Sequence, residues 1–146
     1  MNEKISILSL MKNDHHEIES LLDSLAESLD VSYDEMQKHF ERFEWKLEKH
    51  LFVEEKAIFT FYEPEDVTMG YQMLPIITKQ HNHLFNEIDK MRKEVNNGKE
   101  PSKLSELKSF LMKHRDFEEQ DLYPKLEEAL KPDQKQKIVD RIKELS

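Results

Sequence analysis

His50-Leu51-Phe52-Val53-Glu54-Glu55 recurs later in the chain as His114-Arg115-Asp116-Phe117-Glu118-Glu119. Each copy reads His-x-x-x-Glu-Glu. The first is followed by Ile58-Phe59 and the second by Leu122-Tyr123. On an α-helix, residues four apart lie one above the other on one face. The pattern therefore stacks His50 on Glu54 and His114 on Glu118. Each helix would offer one imidazole nitrogen and one carboxylate to the same point, and two such helices facing each other would make a metal cage.

A second repeat supports the first. Asp14-His15-His16-Glu17-Ile18 begins one apolar helical run and Gln80-His81-Asn82-His83-Leu84 begins another. Setting His15 over His81 brings Ile18 over Leu84, Leu22 over Ile88 and Leu25 over Met91. The chain thus reads as two similar halves. In each half a helix with one inward His precedes a helix with His-x-x-x-Glu, 35 residues on from His15 to His50 and 33 from His81 to His114. Repetition in the same order is a stronger signal than any single motif.

Composition bounds the rest. The 146 residues suit one domain over 1–146 with a sizeable core. Two Gly and five Pro favour long helices. A formal net charge of −9 argues against nucleic acid or an anionic membrane as a partner, since both select basic patches. The absence of Cys excludes disulfides, zinc–thiolate sites and iron–sulfur ligation by this chain. Met1-Asn2-Glu3-Lys4 lacks the basic start and apolar core of a secretion signal, and no run is long enough to span a membrane, so a cytoplasmic protein is expected.

Apolar residues stepping by three and four mark four long helices. The first, from about Ile5 to Leu29, buries Leu8, Met11, His15, Ile18, Leu22 and Leu25. The second, capped by Ser32 or Asp34, carries Met36, Phe40, Phe43, Leu47, His50 and Glu54 and runs to about Tyr62, where Pro64 stops it. Glu63 to Gly70 is the longest loop. The third starts near Gly70 or Pro75, carries Ile77, His81, Leu84, Ile88 and Met91, and ends around Asn96-Asn97-Gly98. Pro101-Ser102 opens the fourth, with Leu107, Leu111, His114, Glu118 and Leu122, and Pro124 should kink or end it. Asp133 to Leu145 is a short fifth helix. Short connections make antiparallel neighbours, so the expected fold is all-α: an up-down-up-down four-helix bundle with a short C-terminal fifth helix.

The stripes converge on His15, His50, Glu54, His81, His114 and Glu118. A buried ionised carboxylate costs several kcal/mol unless paired or bound to metal, and no Lys or Arg on these stripes serves as partner. Six donors with two carboxylates in the middle suit two metals, each taking two His with both Glu bridging. Nitrogen and oxygen donors without sulfur favour iron or manganese, with zinc also suitable. Open positions would hold water, an oxo or hydroxo bridge, or a small diatomic. Glu119 is the alternative to Glu118 if the last helix slips register, and Glu19 is a candidate seventh donor. Glu55 and Glu119 otherwise support the ligands or face solvent. His16, His39 and His83 read as surface residues, and Met11, Met36, Met73, Met91 and Met112 as core. Tyr123 is the tyrosine nearest the site in sequence.

From about Ser6 to Leu130 this pattern resembles hemerythrin and the wider hemerythrin-like, His-His-Glu cation-binding domains. The resemblance rests on His15, His50 with Glu54, His81, and His114 with Glu118. It implies a four-helix bundle around a non-haem di-iron centre (Fe2+/Fe3+). It also implies a protein that binds or senses dioxygen or nitric oxide rather than a dedicated enzyme, with a protein partner for any signalling output. Peroxidase-like activity and a role in iron–sulfur cluster repair or iron donation are the other functions found in relatives. Two features set this chain apart from oxygen carriers. Ile77 stands where they have a further His one turn before the third-helix ligand, and the last helix reads His-x-x-x-Glu where theirs reads His-x-x-x-x-Asp.

Overall fold

Local chemistry starts and stops each helix in the computed structural model, which describes residues 6–59 and 70–146, with backbone alone for 70–74. Helix α1 (Ile7–Ser28) begins behind Ser6, whose Oγ accepts from the Ser9 N–H while the Ser9 hydroxyl accepts from the Ser6 N–H. Helix α2 (Tyr33–Val53) is capped by Ser32, which accepts from the Glu35 N–H. Helix α3 (Gly70–Asn96) ends where Gly98 takes φ 75° and the Lys99 N–H reaches back to the Glu94 carbonyl, a closure that favours glycine. Helices α4 (Leu104–Phe117), α5 (Tyr123–Ala129) and α6 (Pro132–Leu145) complete the chain. No strand occurs among the described residues, and no described helix is long and apolar enough to cross a membrane.

Four helical rods and the α6 helix form the expected all-α bundle. Three local expectations need correction. Ser102 does not open α4. Its backbone N–H and hydroxyl bond to Glu94, and the chain enters α4 one residue later through Lys103 in a left-handed conformation, φ 62°. Pro124 does not end the fourth rod. A π turn over Glu118–Leu122 carries the chain from α4 into α5, where Pro124 sits in the first turn. Met112 is 40% exposed rather than core. The second rod carries a matching π turn, Glu54–Ile58. The expectations at Tyr62, at Pro64 and for most of the Glu63–Gly70 loop lie outside the described residues, as does the Met73 side chain.

Two apolar clusters make up the core. One gathers Leu22, Leu25, Phe40, Phe43, Ile88 and Met91 with their neighbours. The other gathers Ile7, Val53, Ile58, Ile77, Leu126 and Ile142, the last brought in by α6. The buried histidines and glutamates belong to neither cluster and lie along the same helices between residues of both, so water is excluded from each end of the polar layer. Ion pairs tie the rods on the outside. Arg92 of α3 reaches Glu44 and Glu48 of α2 at 2.9 and 2.6 Å, and Lys108 of α4 reaches Asp23 of α1 at 2.7 Å.

Phe43 is fully buried at the centre of the first cluster. Phe43→Ala should destabilise the protein by about 3–5 kcal/mol. Thermal unfolding should show the melting temperature lower by about 10 °C or more.

Candidate metal centre

All six candidate ligands are buried, and Glu54 and Glu118 have no exposed surface at all. The imidazoles pair edge to face: His15 with His50 at a centroid distance of 4.9 Å, and His81 with His114 at 5.4 Å. One oxygen of each carboxylate stands between the pairs. Glu54 Oε1 is 2.7 Å from His50 Nε2 and 3.8 Å from His81 Nε2. Glu118 Oε1 is 3.1 Å from His15 Nε2 and 3.0 Å from His114 Nε2. These ligand atoms fall into two groups able to hold a cation. His15, His50 and Glu118 form one, and His81, His114, Glu54 and Glu118 form the other.

The close approaches are not all hydrogen bonds. The Nε2 atoms of His50, His81 and His114 and Oε1 of Glu54 are buried and lack any partner in hydrogen-bonding geometry. Four unsatisfied polar atoms aimed at one small volume would be costly in an apolar core. Metal bound among the two groups would satisfy them, and the nitrogen–oxygen donor set without sulfur suits iron, manganese or zinc. The residues present therefore fit a metal centre.

The opposite ring nitrogen of each of these four histidines is held by a side chain, which leaves Nε2 for the centre. Nδ1 of His50 bonds Asp14 at 3.0 Å, and Nδ1 of His15 bonds Glu119 at 2.7 Å. Nδ1 of His81 bonds Glu55 at 3.2 Å, and Nδ1 of His114 bonds the Gln80 side-chain oxygen at 2.5 Å. Partners of this kind orient a ligating imidazole and raise its basicity. Glu119 bonds Nδ1 of His15, while Glu118 lies against Nε2 of His15 and His114. Glu19 pairs with Arg115. His16 and His83 are exposed and His39 is half-buried, all three away from the cage.

Asp14, Gln80 and Tyr123 were not singled out as part of the site by the sequence pattern. Tyr123 is fully buried, and its hydroxyl lies 2.8 Å from Oε2 of both Glu54 and Glu118. Five residues along an ideal α-helix is about 140° around the axis, facing away from Glu118. The π turn closes with the Tyr123 N–H on the Glu118 carbonyl and brings the ring back under the carboxylates. The available signals were the Asp14 and Gln80 positions just before each repeated His, and Tyr123 in register with Phe59.

The charges are strongly coupled. Burial opposes the charged form of His50, but Glu54, Asp14 and Glu118 outweigh it and hold the imidazole well above its ordinary value of 6.5. His114 is raised in the same way, with Glu118 overcoming burial. Burial pushes Glu118 up, yet His114 and His15 hold it well below the ordinary carboxylate range. Burial also opposes the Asp14 carboxylate, but His50 and Lys46 bring it down to about 2. Burial and the two carboxylates push the Tyr123 hydroxyl well above 10.0, so it stays a donor.

A helical bundle wrapped around a buried imidazole–carboxylate cage defines a class of metal-binding protein. Residues 6–126 match the family model for the hemerythrin HHE cation-binding domain, and the chain belongs to that family. Neither a curated protein nor a solved structure gives a significant match.

Two outcomes follow from this geometry. A folded-state pKa raised above 6.5 at His50 and His114 stabilises the metal-free protein below that pH, and the contribution is lost as pH rises through the raised values. Metal requires those imidazoles neutral. Between about pH 6 and about pH 9 the metal-free melting temperature should fall and the gain on adding metal should grow, reaching about 5–10 °C at a hundredfold excess over Kd. Tyr123→Phe removes a hydroxyl shared by two buried carboxylates, so competition with a chromophoric chelator should show metal affinity lower by about 10–100-fold with the helical content retained.

Proposed function

We propose that the chain holds two iron ions, one at His15 and His50 and one at His81 and His114, with Glu54 and Glu118 shared, and that it binds or senses dioxygen or nitric oxide there. The observation that carries this reading is the pairing of the four imidazoles around two carboxylates, with their Nε2 atoms converging. Bound iron would supply a redox couple and open coordination positions. The chain supplies the donors, the hydrogen bonds that aim them, and the dry surroundings.

A small cavity supports a small ligand. It measures about 20 Å³ and is lined by His15, His50, His114, Ile18, Leu47 and Leu111, with Glu19 and Arg115 at its edge. A water-sized molecule needs about 10–15 Å³ of such space. A diatomic fits this space. Ile77 is fully buried in the apolar cluster with Val53, Ala57 and Tyr123, so the His81–His114 position has no third imidazole. A centre with fewer nitrogen donors suits sensing or redox turnover better than oxygen storage. The α6 helix packs Ile138, Val139 and Ile142 against the same cluster as Ile7 and Leu122, which supports reading the whole chain as one domain.

The test starts from protein loaded with ferrous iron without oxygen. Metal analysis should give two irons per chain. Admitting dioxygen or nitric oxide should produce a new visible band, and in air the reduced spectrum should be lost within minutes rather than held for hours. His50→Ala and Glu118→Ala should each reduce the count to one iron or fewer and lower stability, because a buried charge loses its partner. Two irons held as tightly in either variant as in the parent would refute the ligand set.

A further inference from the structure

The cage follows the twofold repeat of the chain down to its supporting hydrogen bonds. The residue before the His of α1 holds the His of α2, and the residue before the His of α3 holds the His of α4. The Glu that follows each shared carboxylate holds a His of the other half, Glu55 on His81 and Glu119 on His15. The rule is kept in position everywhere, but its chemistry changes at one pair: Asp14 in the first half is Gln80 in the second.

That difference separates the two metal positions. At His15 and His50 both Nδ1 partners are carboxylates, Glu119 and Asp14, with side chains 19% and 20% exposed. At His81 and His114 one partner is Glu55, 46% exposed and screened by water, and the other is a neutral amide. A carboxylate on the far nitrogen makes an imidazole a stronger donor and adds negative charge beside the cation. Lys46 does not cancel Asp14. It lies 3.1 Å from Asp14 and 2.9 Å from Glu17, so the three together remain anionic.

The count of ligand atoms points the other way, with four around His81 and His114 and three around His15 and His50. Against it, Glu54 Oε1 lies nearer His50 Nε2, at 2.7 Å, than His81 Nε2, at 3.8 Å, so Glu54 is not held for the second pair alone.

We propose that the two positions fill in order, His15–His50 first and His81–His114 second, and that the Asp14/Gln80 difference sets the order. This rests on the two-metal reading above. Asp14 and Gln80 are positioning residues that act through His50 and His114.

The experiment uses zinc, which is redox-inert and diamagnetic, titrated into metal-free protein labelled with 15N-histidine. Imidazole resonances report which pair fills, and a competing chelator reports the two affinities. The expected result is that His15 and His50 shift during the first equivalent and His81 and His114 during the second, with affinities about 10–100-fold apart. Asp14→Asn should weaken the first step about tenfold or more, and Gln80→Glu should tighten the second, so that each variant narrows the gap. Filling of His81–His114 first, parallel filling of both pairs, or a gap that neither variant changes would overturn the proposal while leaving two metals per chain. Saturation at a single zinc with all four imidazoles shifting together would overturn the two-metal reading as well.

Discussion

Glu54 and Glu118 have no contact with water, and most of this structure can be read as a response to that fact. Two carboxylates facing one another in an apolar interior carry a desolvation cost of several kcal/mol each. The imidazoles and carboxylates offset part of that cost for one another, which holds His50 and His114 above and Glu118 below their ordinary values. That solution leaves ring nitrogens without good partners. Bound metal would resolve both problems at once, since it would supply positive charge and take the lone pairs of neutral imidazoles.

The bundle is arranged to keep this pressure on. An apolar cluster at each end of the polar layer denies water to the carboxylates, and α6 seals one of those ends. Each His-x-x-x-Glu helix relaxes into a π turn at its Glu, and this swings the downstream aromatic toward the centre. Phe59 then lies against His81, while Tyr123 lies against His15 and also bonds both carboxylates. Around the outside, four side chains fix the far nitrogen of each imidazole. The cage is therefore set from behind by hydrogen bonds and from above and below by packing.

Much of this was legible in the sequence because helices report burial through spacing. His15, His50, His81 and His114 betray themselves by standing in stripes of Leu, Ile, Phe and Met, and repetition ties them together. Tyr123 was hidden because an ideal helix would turn it away; only a change from α to π spacing returns it, and nothing local in Glu118-Glu119-Gln120-Asp121-Leu122 announces that change. Asp14 and Gln80 sit one residue off the stripe and bond across to another helix, a relation fixed by helix packing rather than by spacing within one segment. Ser102 misled because a Pro-Ser pair is a common helix start, yet Glu94 of the preceding helix competes for the same donors. Met112 misled because a residue just beside a buried stripe can fall on either side of its boundary.

The most direct test of the central claim is anomalous diffraction at the iron edge from crystals of the iron-loaded protein. Two anomalous peaks are expected inside the bundle, one within bonding distance of Nε2 of His15 and His50, the other of Nε2 of His81 and His114, with Glu54 and Glu118 touching both. A single peak, or two peaks lying outside this set of six side chains, would contradict it.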